Sequence, residues 1–134
     1  MKSSLTNVNW IKKGIGLLQD LKGGLAPEGN LGRVVHARWG ATMVLNDFRV
    51  IIGETAKTVV LMSLPNEDVT GDGWQGTEKP TLAFDALSTA SHDFIIRARK
   101  DQRRGELEFK SGSGRSSKSF GFWDGAPKRF NYLD

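Results

Sequence analysis

Three short β-branched segments crowded into residues 33–64 constrain this chain most. Arg33-Val34-Val35-His36-Ala37-Arg38-Trp39 reads as a strand. Gly40 through Asp47 turns the chain, and Phe48-Arg49-Val50-Ile51-Ile52 is the second strand. After the loop at residues 53–57, Thr58-Val59-Val60-Leu61-Met62-Ser63-Leu64 is the third, and Pro65 ends it. Strands this close form a meander, which must bury one face against more sheet or against a helix. Further along, Phe94-Ile95-Ile96-Arg97-Ala98-Arg99 and Glu106-Leu107-Glu108-Phe109-Lys110 flank a charged turn and predict a hairpin. Thr81–Phe84 is read as a short strand, and Phe120–Leu133 as an aromatic return to the core. Residues 66–80, acidic and glycine-rich, read as a surface loop, and residues 111–119 as a flexible basic Gly/Ser tract.

One helix precedes the strands. Val8, Ile11, Ile15, Leu18 and Leu21 recur at three- and four-residue steps, with Asn7 or Asn9 as the cap and Gly23-Gly24 as the stop. Gly14 and Gly16 weaken it, at about 1 kcal/mol each relative to alanine. It therefore needs a surface to pack on. The expected fold is all-β: a small SH3-like, partly open barrel of five or six strands with an appended N-terminal helix. Residues 1–24 form the helical extension and residues 25–134 a single β-rich domain. At 134 residues, the chain suits one domain with a modest core.

Charge is segregated along the chain. The net charge is +4, distributed as a basic stretch up to residue 38, an acidic stretch over 39–96 and a strongly basic stretch over 97–118. An acidic face opposite a basic one suits binding. Arg97, Arg99, Lys100, Arg103, Arg104, Lys110, Arg115 and Lys118 are the candidate nucleic-acid contacts, because a stripe of cations meets phosphates without reading bases. Glu67, Asp68, Asp72 and Trp74 are the candidate protein-binding group, an aromatic anchor within an acidic segment. Trp39, Phe48, Trp123 and Asp124 are assigned structural roles, with Trp123 anchoring a turn and Asp124 bonding nearby backbone.

Catalytic chemistry has little to build on. Cysteine is absent, which removes disulfides and cysteine-based nucleophiles or metal sites. The histidines are His36 and His92, and the adjacent His92-Asp93 is a weak catalytic signal. Asp68-x-Thr70-x-Asp72-Gly73 is a poor calcium loop, since its twelfth position is Lys79. No phosphate-binding glycine motif is present. No catalytic residue, metal or cofactor is assigned, and the chain is not read as an enzyme. With no evident signal peptide or membrane span, a cytoplasmic location is expected and no membrane partner. The oligomeric state stays open.

Two stretches carry a resemblance. Trp39-Gly40, Asp47-Phe48 with Val50, and Lys57-Thr58-Val59-Val60-Leu61 are followed near the C-terminus by Ser119-Phe120-Gly121-Phe122-Trp123-Asp124-Gly125-Ala126-Pro127. This pattern resembles a group of small proteins from phages, plasmids and other bacterial mobile elements. The group usually has Tyr where this chain has Arg49, and Tyr-Asp where it has Ala41-Thr42. The resemblance implies a mobile-element origin and no particular activity. The first three strands also look like the opening of a Tudor or other SH3-like barrel. The function expected is that of a non-enzymatic accessory protein binding a host protein or nucleoprotein complex, with counter-defence inhibition as one form. The alternative is sequence-independent binding of DNA or RNA through residues 97–118.

Overall fold

The computed structural model describes residues 2–24, 29–39, 44–72, 74–84, 89, 91, 93–103, 105–112 and 117–131, with the side chains of 2–7, 39 and 103 left aside. One helix, α1 (Lys2–Lys22), precedes nine strands among the described residues. They are β1 (Val34–Trp39), β2 (Leu45–Glu54), β3 (Thr58–Ser63), β4 (Asn66–Gly71), β5 (Gln75–Pro80), β6 (Ile95–Arg103), β7 (Glu106–Ser111), β8 (Lys118–Phe122) and β9 (Lys128–Asn131). Six of them close an antiparallel barrel in the order β1-β2-β3-β6-β7-β8, while β4-β5-β9 form a separate three-stranded sheet.

The all-β barrel with an appended helix is the architecture, but the barrel is closed rather than partly open. Closure comes from β8, whose Phe122 and Gly121 pair with Val35 and His36 of β1. The aromatic C-terminal return thus supplies the strand that removes the barrel's open edges. Alternation explains how it is filled. Val35, Ala37, Ile51, Val59, Leu61, Ala98, Phe109 and Phe120 point inward and pack as one buried cluster.

The opposite faces of β2 and β3 are also buried. Phe48, Val50, Ile52, Val60 and Met62 form a second cluster outside the barrel, covered by Trp10, Ile11, Leu17, Leu18 and Leu21 of α1. This burial on both faces explains the unbroken apolar run from Val50 to Ile52, which half-buried strands do not show. Strand alternation sends Ile51 to the inner core and Ile52 to the outer one, and a register shift falls between Ile51 and Gly53.

The helix contacts differ from the sequence expectation in an instructive way. Val8 is 50% exposed, and the packing stripe runs through Trp10, Ile11, Gly14, Leu17, Leu18 and Leu21. Gly14 lies where the helix meets the sheet: a Cβ there would fall 2.5 Å from Met62 Sδ. Gly53 accommodates the Trp10 ring, whose nearest atoms would lie 2.5 Å from an added Cβ. The helix trades local propensity for close approach.

Residues 66–80 depart furthest from expectation. They are a hairpin, β4–β5, rather than a loop. Hydrophobic alternation is a poor guide there because every residue of β4 is exposed. Pairing is instead favoured by Gly71 and Gly76, which face each other with positive φ of 115° and 154°. A Cβ on either would sit 2.1 Å from the opposing strand's backbone oxygen. Thr81–Phe84, expected as a strand, has no regular structure, although Leu82 and Phe84 pack against the outer cluster.

Candidate functional site

The β4–β5 tip is built to hold an aromatic side chain away from the body. Asp72 Oδ1 accepts hydrogen bonds from the Trp74 amide at 2.9 Å and the Gln75 amide at 3.1 Å. These donors stabilise the charged carboxylate and hold the Asp72 pKa below its ordinary value. The turn is reinforced by the Asp72 amide donating to Gln75 O at 3.2 Å, and the strands by a Thr70–Thr77 hydroxyl contact at 2.8 Å. Trp74 is left 61% exposed.

Its surroundings are acidic and partly apolar. Val69, at the register shift between Asp68 and Thr70, is also exposed. Glu67 approaches Lys79 only at 4.0 Å, with both side chains largely in solvent, a pairing of little energetic weight. Asp68 is exposed. The four candidate protein-binding residues therefore share one hairpin, with Trp74 and Asp72 at its tip.

Among the basic candidates, Arg97, Arg99 and Lys110 occupy the outer face of β6–β7, where Arg99 pairs in register with Lys110. Acidic groups interrupt that face. Lys110 pairs with Asp101 at 3.3 Å, Asp101 lies opposite Glu108, and Arg103 opposite Glu106. Lys100 turns to Glu54 at 2.8 Å, and this contact is the main reason the Glu54 carboxyl is held below its usual pKa. Lys118 turns to Asp47 at 2.9 Å. Arg97 and Arg99 are exposed. Arg104 and Arg115 lie outside the described residues, as does the Arg103 side chain.

The structural candidates occupy defined places. Phe48 is buried, with His36 at 4.7 Å and Trp123 at 5.9 Å between ring centroids. Trp123 Nε1 donates to Ala126 O at 2.8 Å, and Asp124 Oδ1 accepts from the Ala126 amide at 2.9 Å. Asp124 also meets Lys128 at 2.9 Å, the leading cause of its lowered pKa. Trp39 ends β1, but its side chain lies outside the described residues.

Two polar arrangements were not anticipated. The first is a chain linking the barrel to the three-stranded sheet. His36 Nε2 lies 2.7 Å from Asn46 Oδ1, and Asn46 Nδ2 donates to Glu78 Oε2 at 2.8 Å and to Arg129 O at 2.9 Å. Those two acceptors orient the Asn46 amide, so its oxygen faces His36 and His36 Nε2 carries the proton. Burial lowers the His36 pKa, with further lowering by Lys128 and Arg38, against the raising effect of Asn46. Glu78 is only 1% exposed. The second arrangement is at the barrel mouth, where Arg49, 4% exposed, turns inward and donates from Nε to Asp47 at 3.0 Å. The signal for it in the sequence was Arg49 alternating with Asp47 and Ile51 beside an apolar run.

Among the described residues, no three His, Cys, Asp or Glu side chains are grouped to hold a metal. Thr70 and Asp72, from the imperfect calcium pattern, bond instead to Thr77 and to the turn. His92 lies outside the described residues. No described helix is long and apolar enough to cross a membrane. No family model, curated protein or solved structure matches the chain.

Proposed function

We propose that this chain is a non-enzymatic accessory protein of a bacterial mobile element that binds a host protein or nucleoprotein complex. Counter-defence inhibition is one form of that role. The observation carrying the reading is Trp74, exposed at the tip of a hairpin whose geometry is held by Asp72 and the Gly71–Gly76 pair. A tryptophan whose backbone is held by the turn offers a large contact area with few side-chain torsions to immobilise. The carboxylates of Glu67, Asp68 and Asp72 favour a partner surface rich in Lys and Arg.

Direct nucleic-acid binding is the weaker reading. Arg97 and Arg99 support it, whereas the acidic groups across β6–β7 and the ion pairs of Lys100, Lys110 and Lys118 reduce the stripe's attraction for phosphates.

The test is stoichiometric complex formation in bacterial extract, followed by affinity measurement on the purified complex. Trp74→Ala is expected to weaken binding by at least about 2 kcal/mol, the range of an interface anchor. Unchanged affinity would remove the hairpin tip from the interface. Salt-sensitive binding to DNA or RNA, lost with Arg97→Gln/Arg99→Gln, would favour the alternative.

A further inference from the structure

Closure leaves the barrel without an edge, but the β4-β5-β9 sheet is open, and β4 is one of its outer strands. Among the described residues β4 pairs with β5 alone, and every residue from Asn66 to Gly71 is exposed. A segment already laid along its far side would have buried part of it.

The ladder shows which backbone groups line that edge. The Thr81 amide donates to Pro65 O at 2.9 Å, in the same register that sets Asn66 opposite Pro80, Glu67 opposite Lys79 and Asp68 opposite Glu78. Bonded and non-bonded pairs alternate along an antiparallel ladder. Glu67 therefore directs its N–H and C=O to Lys79, while those of Asn66 and Asp68 point away from β5. Pro80, which has no N–H, fits the non-bonded place opposite Asn66. The register shift between Asp68 and Thr70 makes Val69 the extra residue and ends the regular edge there.

The edge is also acidic. Successive side chains alternate, so Glu67 and Asp68 put one carboxylate on each face. No cation lies on β4, and Lys79 meets Glu67 only at 4.0 Å with both side chains largely in solvent. Two such strands from separate copies would gather four carboxylates in one ribbon, where like charges repel. A strand carrying a cation on each face would instead meet opposite charges at cross-strand distance.

We infer that β4 takes an extended, cationic segment of the partner protein as a fourth strand of this sheet, with adjacent Lys or Arg residues facing Asp68 and Glu67. The inference rests on the hairpin reading and adds the kind of segment recognised. Main-chain bonds to Asn66 and Asp68 hold the segment, and charge on both faces selects it. The regular edge is short, so Trp74, beyond the bulge, supplies the larger apolar contact.

The test adds acetyl-Thr-Val-Lys-Arg-Val-Thr-amide to the full chain at low salt and follows backbone amide exchange and shifts by NMR. Saturable slowing of exchange at the Asn66 and Asp68 amides is expected. The same peptide N-methylated at its Lys and Arg nitrogens keeps the charge but cannot pair on either edge, and is expected to give no slowing. A Glu-Glu version is expected to give none either. Glu67→Gln/Asp68→Asn, at exposed positions, is expected to weaken binding about fivefold, the worth of two cross-strand charge pairs. No slowing with the parent peptide, or equal slowing with the N-methylated or Glu-Glu peptide, would overturn the inference. So would slowing that appears without peptide as the protein concentration rises, since the occupant would then be a second copy. Trp74→Ala separates the two readings, because it leaves the peptide effect in place. Peptide slowing with partner affinity unchanged in Trp74→Ala removes the anchor alone; partner affinity lost in Trp74→Ala without peptide slowing removes the edge alone.

Discussion

Arg49 and His36 show how one residue in a strand can carry a polar requirement into an apolar setting. Both alternate with core residues, yet neither is left unpaired: Arg49 is bonded to a carboxylate and two carbonyls, and His36 to an amide whose orientation other acceptors fix. His36 also gives the fold a pH dependence. Because burial lowers its pKa from the ordinary 6.5, the unfolded chain takes up the proton more readily than the folded one. The His36 contribution is therefore complete above that ordinary value. It declines as the pH falls below it and levels off beneath the folded pKa. Urea midpoints of the wild type are expected to fall more steeply than those of His36→Gln between about pH 7.5 and about pH 5.5, the window around an unperturbed histidine. Parallel profiles would show that His36 is not protected from protonation. Asp47 lies two residues from Arg49 in sequence, but Asp93, and Glu78 bonded through Asn46, were not legible because they arrive from distant segments. The strand holding each was legible from its alternation.

At the scale of elements, the helix and the hairpin separate what pattern reveals from what close approach decides. The apolar spacing located α1, but the sequence alone made Gly14 and Gly16 look equivalent. They are not: an added Cβ at Gly16 meets nothing within 4 Å, whereas at Gly14 it meets Met62. Gly16→Ala is expected to raise stability by about 1 kcal/mol, the gain in helix propensity. Gly14→Ala should gain less, or lose, as Met62 is displaced. Equal gains in urea unfolding would show that the helix does not sit where Gly14 touches the sheet. The hairpin escaped detection for the complementary reason. Its register rests on glycine backbone approach and a threonine pair, and a strand with no buried face leaves no hydrophobic alternation to read. The closing strand β8 was legible only as an aromatic segment, because its pairing with β1 joins residues far apart in sequence.

For the whole molecule, the arrangement divides stability from recognition. The barrel interior and the helix-covered outer face provide two apolar cores, and the hairpin projects Trp74 from the separate three-stranded sheet. The sequence identified the acidic segment and its tryptophan as a binding candidate, but not the hairpin that presents it. It identified a basic segment whose stripe, once folded, is interrupted by its own carboxylates. Hydrogen-exchange footprinting of the purified partner complex tests the central claim most directly. The account predicts protection gained on binding across Asn66–Pro80, centred on the Asp72–Gln75 turn, with little change in β6–β7. Protection confined to β6–β7, with the hairpin exchanging as in the free protein, would contradict it.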